Sequence, residues 1–377
     1  MDTGNPVLVE LIRDAIRREG LVTFAWFMEQ ALYHPEFGYY SSGQCQIGRR
    51  GDYFTNVSVG PFFGRLLAGQ VAEMWEVLGR PGDFLIVEQG AHHGDFAMDV
   101  LNAARGRTPD FFSAVRYCII EPFPVLQQRQ AETLLDFSGK VTWERSVGDL
   151  EPFCGVHFSN ELLDAMPVHL IAREDAAAEW QERFVTEGPG GFVFVSKPIG
   201  DENLRRHLGK IPRPTARYET EVNLAGLAWI EGVARKLDRG FVLAVDYGYP
   251  RDLFYAAERT TGTLQCYAGH RTFSSPLREI GQTDISAHVD WTSLAERAEK
   301  CGLTLTGFAD QYHFITGLLS RLIQDGIEPG SRRALQALIH PEFLGTRFQY
   351  LALGKNAPAD PLAGFTFARD ARIALGL

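Results

Sequence analysis

The stretch Leu85-Ile-Val-Glu88-Gln-Gly90-Ala-His92-His93-Gly94-Asp95 constrains this chain more than any other. Residues 84–87 are apolar without polar alternation, which describes a strand covered on both faces, as in parallel sheets flanked by helices. The run stops on a carboxylate, glycines follow, and helical spacing takes over across 94–105. Tyr117-Cys-Ile-Ile-Glu121 repeats the arrangement 33 residues after Glu88, the length of one strand–helix–strand unit. A helical stretch at 124–135 follows it. Candidate strands at 141–143 and 156–158 come next, and a helical stretch at 220–237 leads into the apolar run 241–246. Such alternation predicts an α/β protein built on a parallel sheet.

Flanking segments read differently. Asn5-Pro6 is an N-cap followed by proline at the first helical position, and apolar residues at helical spacing run on to Gly20. A second helix is expected over 23–32, an ordered loop rich in glycine and aromatics over 38–64, and helical periodicity again over 62–78. Residues 168–173, 179–186 and 192–197 alternate or carry β-formers, and Gly188-Pro-Gly-Gly191 supplies a turn, so an antiparallel meander is expected there. Helices near 290–301, 312–324 and 331–339 and a strand near 347–353 complete the reading. The divisions expected are 1–80 as an N-terminal extension closing the site, 81–166 with 220–377 as the core, and 167–219 as an insertion.

Charge narrows the function classes. The chain has 37 Lys plus Arg against 47 Asp plus Glu, a formal charge of −10, which argues against wholesale binding of duplex nucleic acid. Cys45, Cys118, Cys154, Cys266 and Cys301 are scattered and odd in number, pointing to a reducing compartment rather than a disulfide framework. No apolar run is long enough to span a bilayer, and Asp2, Glu10, Arg13 and Asp14 lie where a secretory signal would be apolar. A cytoplasmic protein without a membrane partner is the expectation.

Open α/β sheets bind ligands beyond the carboxyl ends of their strands, where a glycine turn lets a ligand approach the backbone. Glu121, ending the second strand, can accept both ribose hydroxyls of an adenosine. The spacing is not the dinucleotide G-x-G-x-x-G, and Gly43 to Arg50 lacks the Lys-Ser/Thr of a phosphate loop. An ordinary tight turn remains the plain alternative.

Further blocks carry a family resemblance: Ala31-Leu-Tyr-His-Pro-Glu-Phe-Gly-Tyr-Tyr40, Gly51-Asp-Tyr-Phe-Thr55, Phe63-Gly64, Ser159-Asn-Glu-Leu-Leu-Asp-Ala-Met-Pro-Val168, Val245-Asp-Tyr-Gly248 and Asp284-Ile-Ser-Ala-His-Val-Asp290. Together with the glycine turn they resemble the MidA-like S-adenosylmethionine (SAM)-dependent methyltransferases, a family that includes a mitochondrial complex I assembly factor methylating arginine. The resemblance implies a seven-stranded Rossmann-like class I methyltransferase sheet with an N-terminal helical extension and an inserted antiparallel β/helical subdomain. It also implies that SAM is the cofactor. By this analogy Glu88, Gly90 and Gly94, with Ala91 and His92 in the same turn, line its methionine part. Glu121 holds the ribose, Gly148-Asp149-Leu150 lies near the adenine, Asn160 sits beside the methyl group, and Thr55 closes over the cofactor.

Two departures stand out. His92 replaces the middle glycine of the family's Glu-x-Gly-x-Gly-x-Gly, and 55–60 lacks the usual Pro and Glu. The imidazole must point away or itself contact ligand. Ser58 in the place of that Glu favours an acceptor smaller or less charged than arginine.

Methyl transfer needs nucleophile, methyl and sulfur in line, and a proton sink for some nucleophiles. No metal is required, and no His/Cys spacing suggests one. Glu161 and Asp164, three residues apart, would share one face of a helical turn and orient a guanidinium, or else simply stabilise a helix start. His288 is a candidate base or a hydrogen-bonded structural residue. Asp246, Tyr247 and Tyr33 are candidate substrate contacts, with His34, Phe37, Tyr39 and Tyr40 as a cleft wall or a plain aromatic core. The acceptor is expected to be a protein side chain or a small-molecule nitrogen or oxygen nucleophile. Helical stripes at 5–19 and 312–339 could serve a homodimer. The alternative is a methyltransferase-like binding or assembly protein that keeps the nucleoside pocket.

Overall fold

The computed structural model describes residues 4–43, 56–212, 216–268, 271–273, 275–322 and 329–377. The block from Gly51 to Thr55 and all of residues 44–50 lie outside them. The chain divides into two compact units: one takes residues 55–162, 229–250 and 291–377, the other 1–54, 163–228 and 251–290. The boundaries differ from those read off the sequence. Residues 56–80 go with the central sheet, and 251–290 join the meander rather than the sheet.

The first of these units is the α/β body. Its strands are β1 (Phe84–Gln89), β2 (Val115–Ile120), β3 (Val141–Glu144), β4 (Phe153–Asn160), β5 (Leu237–Tyr249), β6 (Thr304–Asp310) and β7 (Phe348–Lys355). Across the sheet they run β6-β7-β5-β4-β1-β2-β3. Strands β1 to β5 pair in parallel. Strand β7 lies antiparallel between β5 and β6. Burial explains the apolar runs: Phe84, Ile86 and Val87 on β1 and every residue of 241–245 on β5 are buried. The strand order reverses at β1 and β4, and an open parallel sheet opens its ligand crevice at such a reversal.

The other unit is built on helices Pro6–Glu19 and Phe24–Tyr33 and an antiparallel sheet. Asn5 caps the first helix, its side-chain oxygen accepting the Val7 and Leu8 amides at 3.0 and 3.2 Å. Thr23 caps the second through Trp26 N–H at 3.2 Å. In the sheet Val22–Thr23, Gln181–Gly188, His169–Arg173 and Tyr218–Val222 lie side by side, with Gly191–Pro198 paired to Gln181–Gly188. Leu8, Ile12, Phe27, Leu32, Leu170 and Val185 are among the residues that fill its core.

The expected helix over 220–237 starts later, at Leu224, because Tyr218–Val222 is a strand. Its Thr-Glu-Val sequence merges into the following helical periodicity, and pairing with His169–Arg173 decides the outcome.

Candidate active site

Strand β1 delivers Glu88 to the sheet edge, almost fully buried, where Oε2 accepts the Tyr117 hydroxyl at 2.7 Å. Burial pushes the Glu88 carboxyl up to about 7, against the opposing pull of that hydrogen bond. The chain then turns through Gly90 and Gly94, both at φ +86°, and His92 at φ +48°. Glycine adopts this left-handed region without cost, whereas a side chain there costs about 1 kcal/mol. Gly94 is the cap of helix Asp95–Arg107, and its N–H closes the turn onto Ala91 O at 2.8 Å. The His92 ring stacks on His93 with centroids 3.7 Å apart. The imidazole that departs from the family pattern is thus paired with its neighbour.

Strand β2 delivers Glu121, also buried. Its Oε1 accepts Phe123 N–H at 3.1 Å, and its Oε2 accepts Gln130 Nε2 at 3.0 Å. Burial raises its carboxyl to about 7, and those two donors pull it back only partly. A carboxylate oxygen has two acceptor sites, so each oxygen retains one for a ligand hydroxyl.

Gly148, Asp149 and Leu150 follow β3 in a short turn, Val147–Asp149 being 3-10 helical. Gly148 and Asp149 are exposed, and Asp149 accepts the Ser146 hydroxyl at 2.8 Å. Asn160 ends β4. Its Oδ1 accepts Asn56 Nδ2 at 3.2 Å, and its Nδ2 donates to Glu161 Oε1 at 2.8 Å. Asn56, from the altered loop, is fully buried and was not singled out in the sequence.

Glu161 is not on a helical turn with Asp164. It sits at φ +55°, its N–H bonded to Val245 O at 2.9 Å, and no helix follows β4. Asp246, fully buried on β5, accepts Leu162 N–H at 3.1 Å and Tyr247 N–H at 2.8 Å. It thereby ties the end of β4 to the end of β5. Tyr247 packs on Phe348 at 4.2 Å.

The remaining candidates belong to the other unit. Asp164 O accepts Ala287 N–H at 2.8 Å. The Tyr33 hydroxyl donates to Ala165 O at 3.1 Å, and its ring stacks on Tyr40, whose hydroxyl donates to Asp284 at 2.6 Å. Tyr39 belongs to that unit's core, with Tyr33, Phe37 and Tyr40 packed against it. His288 N–H donates to Thr263 Oγ1 at 2.9 Å, and burial, with Arg259 assisting, pushes the imidazole down to about 4. At neutral pH it is uncharged and weakly basic. Thr263 in turn belongs to a loop organised by Glu221, a buried carboxylate absent from the sequence reading.

A mostly parallel sheet with a reversed strand order, a glycine turn behind its first strand and a buried carboxylate behind the next defines an α/β protein built to bind a nucleoside cofactor. Residues 66–309 match the model of a family described as "Putative S-adenosyl-L-methionine-dependent methyltransferase". With more than half its length matched, the chain belongs to that family and is a SAM-dependent enzyme. It is similar to a crystal structure of a COG1565 superfamily member from Burkholderia thailandensis bound to S-adenosyl-homocysteine, with 30% identity and a TM-score of 0.86. That match covers 97% of this chain and 96% of the other. Among curated proteins, the NDUFAF7 homolog of Drosophila melanogaster, a mitochondrial protein arginine methyltransferase, is 26% identical over 97% of this chain and 90% of its own. The human NDUFAF7 protein, with the same description, is 25% identical over 98% and 88%.

These relatives overturn the expected cytoplasmic location, since those of fly, zebrafish and human are all named as mitochondrial. Scattered free thiols mark a reducing milieu and do not single out one compartment. Among the described residues, no helix is long and apolar enough to cross a membrane.

Proposed function

We propose that the enzyme methylates a side-chain nitrogen of a protein, with the arginine guanidinium as acceptor. The observation that carries this is the pairing of a nucleoside cradle with end-to-end similarity to curated protein arginine methyltransferases. The residues present fit SAM. The left-handed turn at Gly90 and Gly94 gives a bare backbone approach and a helix start suited to a carboxylate, and Glu121 keeps acceptor positions for a ribose diol. Bound there, the cofactor supplies a methyl group already activated by its sulfonium.

The chain's own part is to hold the acceptor and orient it toward the methyl group. A guanidinium is a poor nucleophile, with a pKa above about 12. A carboxylate must fix its plane and gather its charge on the nitrogens that do not react. Glu161, set by its left-handed backbone and by Asn160 at the end of β4, is the carboxylate assigned to this task. It takes the place of the acid that Ser58 does not provide.

Incubating the enzyme with methyl-labelled SAM and an arginine-rich protein extract should yield methylarginine on hydrolysis. Glu161→Gln should cut that yield by about 100-fold while leaving the cofactor Kd within twofold. Label recovered only in small metabolites would overturn the protein acceptor, and label on lysine would overturn arginine.

A further inference from the structure

Helix Pro124–Thr133 turns two residues into the core, Leu126 and Gln130. A glutamine fully buried at a core-facing position needs every polar atom satisfied. Here each partner belongs to the cofactor cradle or its rim. Gln130 Nε2 donates to His92 O at 2.9 Å and to Glu121 Oε2 at 3.0 Å, and Oε1 accepts the Trp143 indole N–H at 2.9 Å. The indole is a donor only, so it fixes which end of the carboxamide faces it, and the two N–H bonds must point to the glycine turn and to Glu121. The same helix closes on the turn from behind: a Cβ at Gly94 would lie 3.5 Å from Gln130 Cα.

We propose that Gln130 is a positioning residue for the cofactor. It joins the strained glycine turn to the ribose-binding carboxylate, so that the methionine and ribose halves of the cradle are set by one side chain. This rests on the reading of Glu121 as the ribose ligand. The consequence is electrostatic as well as geometric. A ribose diol donates to an ionised carboxylate, and the Gln130 N–H is, among the described residues, one of two donors that favour ionisation of Glu121 against its burial. Without that donor, Glu121 holds its proton to higher pH, and cofactor binding follows.

Calorimetric titration with S-adenosyl-homocysteine from pH 5.5 to 9 tests this. In the parent enzyme affinity should rise with pH through a midpoint near 7 and level off above about 8. Gln130→Met, which keeps the volume, should move the midpoint up by about one pH unit and weaken binding about fivefold at pH 7, converging on the parent near pH 9. Gln130→Glu keeps the acceptor for Trp143 but sets a second carboxyl against Glu121, so its midpoint should move at least as far. It serves on its own should the methionine variant not fold. A Gln130→Glu midpoint equal to the parent's, or a Gln130→Met loss of the same factor at every pH, overturns the positioning role and reduces Gln130 to packing. Glu121→Gln separates the two claims: it should flatten the part of the profile that Gln130→Met shifts, and a pH profile unchanged in this variant overturns the ribose reading itself.

Discussion

Two buried glutamates, one in each compact unit, show how a common environment can serve opposite ends. Glu121 and Glu221 are both shielded from water, and burial raises both carboxyls to about 7. Their partners differ. Glu221 accepts Thr263 N–H with both oxygens, Leu264 N–H with Oε1 and the Thr263 hydroxyl with Oε2. A Cβ on Gly262 would fall 2.2 Å from Oε1, so the loop is moulded directly around that carboxylate. Glu121 receives one backbone amide and one carboxamide. A carboxylate enclosed by its own loop is structural, whereas one with acceptor positions left over is ready for ligand.

The contrast predicts opposite phenotypes. The largest effect expected is on Glu121→Ala: loss of two charge-assisted hydrogen bonds at about 1.5 kcal/mol or more each should weaken S-adenosyl-homocysteine by at least 100-fold in calorimetry. Its melting temperature should fall less than that of Glu221→Ala, since Gln130 Nε2 keeps His92 O as an acceptor and the Phe123 N–H is only part-buried, and unchanged affinity would remove the ribose assignment. Glu221→Ala should do the reverse. It leaves two buried amides without acceptors, at about 1–3 kcal/mol each, so its melting temperature should fall by several degrees while cofactor affinity stays within twofold. Equal loss of affinity in both variants would erase the distinction.

Solution pH sharpens the comparison further. Glu88, Glu121 and Glu221 all hold their protons in the folded state to about 7, against 4.5 for an ordinary glutamate. The stabilisation from these buried neutral acids is fully present below 4.5 and is lost as pH rises toward 7. The melting temperature of the ligand-free enzyme should therefore fall across pH 4.5–7 while cofactor affinity rises. Parallel trends in scanning calorimetry and titration would contradict this. The smallest effect concerns the turn. His92→Gly relieves the left-handed cost of a side chain at φ +48° but forfeits the stacking on His93, for a net change in unfolding free energy below about 1 kcal/mol. A loss of several kcal/mol would mean that the imidazole holds the turn together.

Much of the α/β body could be read from residues alone, because strands covered on both faces leave uninterrupted apolar runs. Those at 84–88 and 241–246 fall within observed strands, and that at 117–121 runs one residue past one. The edge strand Thr304–Asp310 carries Thr304, Thr306 and Asp310 among its apolar residues and escaped that test. Glu121 was legible because an acid at a strand end has a chemical purpose there. Gln130 and Glu221 were not. A polar residue in a helix reads as solvent-facing, and only its partners from β3, the glycine turn and Glu121 show that position 130 faces inward. Glu221 serves residues 42 and 43 positions away, a separation at which no local pattern survives. Asn56 was overlooked because the loop was read for the residues it lacked.

The seating of β7 has a bearing on biosynthesis. This strand, residues 348–355, comes late in the chain yet lies between β5 and β6, and β6 takes its sheet partner from nowhere else on the path. A nascent chain can lay down β1 to β5 in order, but β6 waits with an unpaired edge until residues 348–355 have followed it. Until then β6 presents the unpaired backbone edge that a holding chaperone recognises.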